Sequence, residues 1–268
     1  MKIYVASLET DLSRRASIEC QLQSRELSYE VIDAVDGRML SAEDLQAACR
    51  EQMHFTSVHG RVMMPAEVAC CLTHLKMYQR FLQTDESHAV FLEDDAYLLE
   101  GFDQALAMLP ESGLDVVMMG YPARTFFEIR LASWIEPIYR RQSVGEIFEV
   151  GLSPRRKCFG MVGVMLSRHA AEQLLACNSP ITTVADDHMY FGQFLTIHHL
   201  RPLVVAEDLR LRSAINHTYR RRIAGLSLRR KLSRLLQGIF SRMRIACILA
   251  MDMRSHSKPD DSQRRNLS

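Results

Sequence analysis

Short apolar runs alternate with longer amphipathic stretches through residues 2–206, and this alternation most constrains the fold. Runs of strand length fall at 2–8, 29–35, 89–92, 114–119, 159–166 and 203–206. Helical spacing of apolar side chains predicts helices at 12–27, 66–84, 168–177 and 186–194, with another beginning after Ser41. Strands that alternate with helices predict an α/β fold with a mostly parallel sheet. Residues 121–157 mix aromatics, arginines and turn residues, and we expect loops or an irregular insertion there.

Composition excludes several other classes of protein. The chain has 268 residues, of which 47% are hydrophobic and 24% charged, with 12 glycines and 8 prolines. These values exclude collagen-like and wholly disordered chains, and the length is sufficient for a large core. The seven cysteines lack CxxC spacing, which favours reduced thiols in the cytoplasm over disulfides or a zinc clamp. We see neither a signal peptide nor a membrane-spanning run, so we expect a cytoplasmic protein.

Three consecutive carboxylates follow the third apolar run, in the segment AVFLEDDA (89–96). They are expected at the carboxyl end of a strand, the edge of an α/β sheet where ligands bind. Adjacent carboxylates repel one another unless a cation or hydrogen-bond donors compensate. Mn²⁺ or Mg²⁺ would do so and would also bridge to phosphates. The alternative is a solvated acidic turn that caps the next helix.

Four blocks of the sequence resemble, in order, the pattern of glycosyltransferase family 25, the lipopolysaccharide-type galactosyltransferases. The blocks are VASLETDLSRR (5–15), PAEVACCLTHLKMYQRFL (65–82), VFLEDDA (90–96) and FGMVGVMLSRHAAEQLL (159–175), with weaker matches at 35–40, 184–190 and 201–205. This resemblance implies a GT-A fold, in which a Rossmann-like sheet flanked by helices binds a UDP-sugar, usually UDP-galactose. It also implies a metal on the diphosphate, inversion at the anomeric carbon, and a lipooligosaccharide or related glycan as acceptor.

The resemblance assigns roles to the acidic triplet and to the first strand. It implies Glu93 and Asp95 as metal ligands and leaves Asp94 for the ribose or sugar of the donor. Ser7 and Leu8 would meet the nucleotide. Arg15 matches the family block, although Arg14 offers the same planar guanidinium for phosphate or uracil.

Further donor-binding residues come from the second strand and the long helix. Asp36 and Gly37 follow the second strand, where an acidic side chain can bond a base or ribose; a plain turn is the alternative. Glu67 and His74 are seven residues apart, hence on nearly the same helix face. The resemblance to the family block implies that both line the pocket. The alternative for His74 is a role in packing, which is more common for an isolated histidine on a helix.

Inversion by direct displacement needs a general base for the acceptor hydroxyl. Asp187 and Asp186 are the candidates, with helix capping as the alternative for both. The block at 159–175 departs from the family pattern, because Met161 follows Gly160 and Val164 follows Gly163. This departure leaves the identity of the donor sugar open.

The net charge of +1 conceals an acidic body and a basic tail. Residues 1–217 carry 20 basic and 29 acidic side chains, and residues 218–268 carry 13 and 3. We therefore expect a transferase domain at 1–217, a basic amphipathic helical tail at 218–254 and disorder at 255–268. The tail, chiefly 220–254, fits the inner face of a membrane carrying a lipid-linked acceptor. Packing on the body or on a second copy is the alternative, and no nucleic-acid motif is present.

Two rival functions use the same features. A non-catalytic sugar- or nucleotide-binding protein would share the fold, and a nucleotidyltransferase or phosphohydrolase also places Mg²⁺ on acidic strand ends. The sequence has no GxxxxGK loop to cradle phosphates, which disfavours kinases and ATPases.

Overall fold

The computed structural model describes residues 1–49, 53–121, 137–154, 160–208, 210–211, 245–250 and 252. The strands are β1 (Lys2–Ser7), β2 (Tyr29–Asp33), β3 (His88–Glu93), β4 (Ala96–Leu98), β5 (Val116–Met118), β6 (Gly120–Tyr121), β7 (Tyr139–Val144), β8 (Phe148–Leu152), β9 (Gly163–Ser167), β10 (Ile197–Arg201) and β11 (Val205–Glu207). The helices are α1 (Leu12–Gln23), α2 (Ala42–Ala48), α3 (Met53–His59), α4 (Pro65–Leu82), α5 (Phe102–Met108), α6 (Arg168–Asn178) and α7 (His188–Phe191), with a 3₁₀ turn at Leu109–Ser112.

The central sheet has eight strands in the order β2-β1-β3-β9-β5-β10-β8-β7. The pairs β1–β2, β1–β3 and β5–β10 are parallel, and β9 runs antiparallel to both β3 and β5. Since β8 is antiparallel to both β10 and β7, six of the eight strands point the same way and only β8 and β9 are reversed. The prediction of a mostly parallel sheet is confirmed in this sense. A second sheet, β4-β11-β6, is much smaller.

Helices cover both faces of the sheet, as expected for strands that are apolar along their whole length. On β1, Tyr4 belongs to one buried cluster and Ile3 and Val5 to the other, because successive side chains point to opposite faces. Helices α4 and α6 pack on the Tyr4 face, and α1 and α5 pack on the opposite face. The predicted α/β architecture is therefore confirmed.

The expectation of loops at 121–157 was wrong for its second half. Strands β7 and β8 form an antiparallel hairpin that extends the sheet, whereas residues 122–136 and 155–159 lie outside the described part of the chain. The turn passes through Gly145 at φ +62°, a conformation that glycine adopts without strain. Most β7 side chains are exposed at the sheet edge, so this strand lacks the apolar alternation that reveals a strand in sequence.

Only a short part of the basic tail is described. Residues 245–250 and 252 are helical, and the Asp252 carboxylate accepts a hydrogen bond from the backbone N–H of Arg140 on β7, at 3.1 Å. The rest of the predicted tail and the segment at 255–268 lie outside the described residues. In the described part of the chain, every helix is too short or too polar to cross a bilayer.

Candidate active site

The carboxyl ends of β1 and β3 lie side by side and carry the acidic triplet. Ala6 pairs with Glu93 in the parallel register of these strands, so Ser7 and the residues after Glu93 meet at one edge of the sheet. We call Glu93, Asp94 and Asp95 the acidic turn. Its position at the carboxyl edge agrees with the sequence prediction.

Arg14 and Ser7 hold two carboxylates of the acidic turn. The Nη2 atom of Arg14, in the first turn of α1, lies 2.7 Å from Asp94 Oδ1 and 2.6 Å from Asp95 Oδ2. The Ser7 hydroxyl donates to Asp94 Oδ2 at 2.9 Å. Asp94 and Asp95 are only 7% and 8% exposed. One guanidinium thus partly neutralises two buried carboxylates that the sequence places next to each other.

The acidic turn gathers more carboxyl groups than the Arg14 guanidinium alone can neutralise. Burial, reinforced by the charge of Glu93, raises the pKa of Asp95 to about 8, although Arg14 opposes this shift. Burial also raises the pKa of Asp94 and of Glu207, and the charge of Glu93 contributes to the shift at Glu207. The backbone holds this arrangement, because Asp208 N donates to Asp95 O at 2.6 Å.

These residues fit a hard divalent cation. Asp95 Oδ1 is buried and has no hydrogen-bond partner among the described residues, which is costly for a polar atom unless something else binds it. Carboxylate oxygens are the ligands that Mg²⁺ and Mn²⁺ prefer. Glu93 and Asp95, the predicted ligands, therefore offer the right donor chemistry at one place.

The two predicted pocket residues of α4, Glu67 and His74, make contacts in different places. His74, which is buried, places Nε2 3.8 Å from Glu93 Oε1, and its Nδ1 lies 3.4 Å from the Tyr78 hydroxyl. Glu67 instead accepts two hydrogen bonds from Arg61, at 2.7 and 2.6 Å, and one from Met64 N at the start of the helix. His74 thus reaches the acidic turn, and Glu67 closes the N-terminus of α4.

The other predicted donor-binding residues line loops near the same edge. Arg15 donates to Asp33 Oδ1 at 2.6 Å and to the backbone oxygen of Ser7 at 3.2 Å, which ties β1 to β2. The Leu8 backbone oxygen accepts from Asp11 N at 3.0 Å and so turns the chain into α1. Their nucleotide contacts remain predictions.

The loop after β2 packs against the start of α4. Asp36 pairs with the exposed side chain of Arg38. A Cβ added to Gly37 would lie 2.8 Å from the backbone of Ala66 and Pro65, so only glycine allows this close approach. Donor binding by Asp36 and Gly37 remains a prediction.

The two candidate bases have different surroundings. Asp187 Oδ1 accepts from Tyr190 N at 3.1 Å and caps α7, and its Oδ2 accepts from Thr183 Oγ1 at 2.6 Å and lies 3.3 Å from His54 Nε2. Asp186 Oδ2 accepts from Gly160 N at 2.9 Å. Burial raises the pKa of Asp186, Glu93 raises it further, and His74 lowers it, which indicates that Asp186 is the one near the acidic turn.

Comparison with known families agrees with this arrangement. The family model described as "Glycosyltransferase family 25 (LPS biosynthesis protein)" matches residues 1–190, more than half of the chain. The chain belongs to glycosyltransferase family 25. All the site residues predicted from the sequence lie within the matched segment.

Curated relatives in glycosyltransferase family 25 differ in what their names state. "Probable inactive glycosyltransferase 25 family member 3" of Rattus norvegicus is 30% identical over 115 residues, 42% of this chain and 20% of that protein. "Lacto-N-neotetraose biosynthesis glycosyltransferase LgtB" of Neisseria gonorrhoeae is 30% identical over 40% of this chain and 37% of its own length. Human "Procollagen galactosyltransferase 2" is 21% identical over 76% of this chain and 30% of its own length. The chain therefore spans well under half the length of each of these relatives.

The sequence analysis missed Glu207 at this family 25 site and two histidines elsewhere in the fold. Glu207 is the last residue of β11, and no spacing links it to the acidic turn, although its register partner Ala96 lies directly after that turn. His188 and His199 bring their rings within 6.3 Å, and burial lowers their pKa values to about 4 and about 3. Because β10 (IHHLR) has no apolar run, nothing in the sequence indicated that His199 lies in the sheet beside β5.

Proposed function

We propose that this chain is a metal-dependent, inverting glycosyltransferase that uses a UDP-sugar, most simply UDP-galactose, and transfers the sugar to a lipooligosaccharide or related lipid-linked glycan. The observation that carries the proposal is the buried Asp95, whose Oδ1 lacks a hydrogen-bond partner among the described residues within an excess of carboxylate charge. Family membership supports glycosyl transfer as the reaction.

Glu93 and Asp95 would hold the Mn²⁺ or Mg²⁺ ion. When bound, such an ion supplies Lewis-acid stabilisation to a departing diphosphate. Arg14 contacts both Asp94 and Asp95, so we assign its guanidinium a contact with the donor diphosphate as well. Asp94, fixed by Ser7, keeps its proposed role toward the ribose or sugar of the donor.

The remaining donor contacts are assigned to the strand-end loops. Ser7, Leu8, Asp36 and Gly37 lie at the ends of β1 and β2, where an α/β sheet binds nucleotides. Arg15 supports these loops through Asp33 and Ser7. On α4, His74 faces Glu93, whereas the contacts of Glu67 favour a positioning role for that residue.

We assign the general base to Asp186 in preference to Asp187. Both oxygens of Asp187 already accept hydrogen bonds within its own loop and helix. The Asp186 carboxylate would take the proton of the acceptor hydroxyl as that oxygen bonds to the anomeric carbon from the face opposite the diphosphate. The bond from that carbon to the diphosphate breaks, and its electron pair leaves with the diphosphate. A pKa raised by burial suits a base, because the proton is then bound more readily.

Galactose and a surface glycan are proposed from the names of two relatives. One is called a procollagen galactosyltransferase and the other a lacto-N-neotetraose biosynthesis glycosyltransferase. The second candidate is a non-catalytic protein that binds a nucleotide sugar, and the relatives named inactive favour it.

A thermal-shift panel of UDP-sugars with Mn²⁺ or with EDTA tests donor binding. We expect UDP-galactose to raise the melting temperature only with the cation, because a bound ligand stabilises the folded state by mass action. Asp95→Asn should abolish the shift, whereas Asp85→Asn, at an exposed aspartate, should retain it. No shift with any UDP-sugar would contradict donor binding. A shift without sugar transfer to any lipid-linked glycan would favour the non-catalytic candidate.

A further inference from the structure

Three different metal-ligating side chains meet where α4 faces the first residue of the acidic turn. Cys70 and His74 are four residues apart on α4 and therefore share one face of the helix. That face meets Glu93 at the end of β3. One ligand atom from each of Cys70, His74 and Glu93 lies within 4.8 Å of the others.

Both ring nitrogens of His74 face polar groups. Its Nδ1 lies 3.4 Å from the Tyr78 hydroxyl, and its Nε2 faces Glu93 Oε1 at 3.8 Å. In the tautomer that carries its proton on Nδ1, this proton is donated to the Tyr78 oxygen and the Nε2 lone pair faces Glu93. Ligating histidines commonly bond their second ring nitrogen to the protein in this way.

The neighbouring cysteines have different environments. The Cys71 thiol donates to the backbone oxygen of Thr183 at 3.4 Å and belongs to the hydrophobic core. Cys70 is half-buried, and its sulfur lies within 4.8 Å of a ligand atom of His74 and of Glu93. The neighbouring Asp95 Oδ1 is buried without a hydrogen-bond partner among the described residues, so it is a second polar atom at this turn that a bound group would satisfy.

We propose that Cys70, His74 and Glu93 form a binding site for one thiophilic divalent cation of the Zn²⁺ and Co²⁺ class. One sulfur, one imidazole nitrogen and one carboxylate oxygen form a set one short of the four ligands of a tetrahedral ion, and this donor chemistry suits these ions better than Mg²⁺. On binding, the Cys70 thiol releases its proton to solvent as the sulfur–metal bond forms.

Sharing of Glu93 links this site to the oxygen site of the proposed function. A thiophilic ion bound by Cys70 and His74 would also bind the Glu93 carboxylate, which is a proposed ligand of Mn²⁺. Zn²⁺ is therefore expected to weaken the Mn²⁺-dependent stabilisation by UDP-sugar. This consequence rests on the proposed function, whereas the site itself rests only on the cluster.

Cobalt spectroscopy tests the site in the full chain without measuring activity. Titration with Co²⁺ should produce the near-ultraviolet band of thiolate-to-Co²⁺ charge transfer. Cys70→Ser should abolish the band and weaken Co²⁺ binding at least about tenfold, since even changes beyond the direct ligands weaken metal binding about 10–100-fold. The matched control Cys71→Ser should keep the band. Its absence in the unaltered chain, or its persistence in Cys70→Ser, would overturn the proposal.

Alkylation of the unaltered chain gives a readout that does not depend on a variant folding. Zn²⁺ should protect Cys70 from iodoacetamide, as followed by peptide mass spectrometry, and should leave the exposed Cys20 reactive. Equal alkylation of Cys70 with and without Zn²⁺ would contradict the site. If the cobalt band appears but UDP-sugars with Mn²⁺ do not stabilise the chain, the proposed function is contradicted and this inference stands.

Discussion

Arg14 shows how a single residue stabilises the acidic turn. Its guanidinium contacts Asp94 and Asp95, and all three side chains are largely buried. Removal of one partner from a buried ion pair is strongly destabilising, because the remaining charge is left uncompensated.

We therefore expect Arg14→Gln to lower the free energy of unfolding by about 3 kcal/mol at about pH 9, where Asp95 is ionised, as measured by urea denaturation in EDTA. Excess Mn²⁺ should restore part of this loss, because it supplies the missing positive charge. Arg15→Gln is the control: its partner Asp33 is mostly exposed, so the loss should stay below about 1 kcal/mol. Equal losses for the two variants would show that the acidic turn does not depend on Arg14.

The raised pKa of Asp95 fixes the direction of a pH dependence. The pKa is about 8 in the folded chain against an ordinary value of 3.8, so the folded state binds more protons between these values. The contribution of Asp95 to the free energy of unfolding is then greatest below about pH 4. It falls as the pH rises toward about 8. In EDTA, Asp95→Asn should flatten this part of the profile of melting temperature against pH, and Asp85→Asn should not. An unchanged slope in Asp95→Asn would contradict the assigned burial.

At the scale of elements, the apolar strands and the long helix were predictable, and the edge strands were not. β1 and β3 are buried on both faces and read as continuous apolar runs, and α4 shows its buried positions at helical spacing. In contrast, β7 is mostly exposed and β10 carries two histidines, so pairing with neighbouring strands determines their conformation. The position of the acidic turn followed from β3, but its contacts with Arg14 and Glu207 depend on packing between distant segments.

The short helix α7 separates the roles of the two adjacent aspartates. Asp187→Ala should cost about 1–2 kcal/mol of stability through the lost N-cap, with a smaller effect on turnover of the folded fraction. Asp186→Asn should leave stability equal or higher, because the raised pKa shows that its charge is disfavoured, and should reduce kcat at least about 100-fold. Urea denaturation and steady-state transfer with UDP-galactose give the two readouts. A large kcat loss confined to Asp187→Ala would reverse the assignment.

At the scale of the whole molecule, the near-neutral charge divides between an acidic body and a basic tail. The acidic body carries the candidate site, and the basic residues beyond 217 would bring it to an anionic surface where a lipid-linked acceptor lies. The contact between Asp252 and the Arg140 backbone supports the alternative of a tail packed on the body. These two readings differ in how binding to lipid vesicles depends on the charge of the tail.

If the tail binds membranes, the full chain should co-sediment with anionic vesicles at 0.1 M salt and much less at 0.5 M, because salt screens the attraction. Each basic residue near such a surface contributes about 1 kcal/mol, so replacing Arg229, Arg230 and Arg234 by glutamine should weaken binding about 100-fold. The matched control replaces three exposed arginines of the body, namely Arg38, Arg80 and Arg141. It makes the same change in net charge, so a drop limited to the tail variant would locate the contact there. Equal vesicle binding by both variants would leave the tail as a packing element of the body.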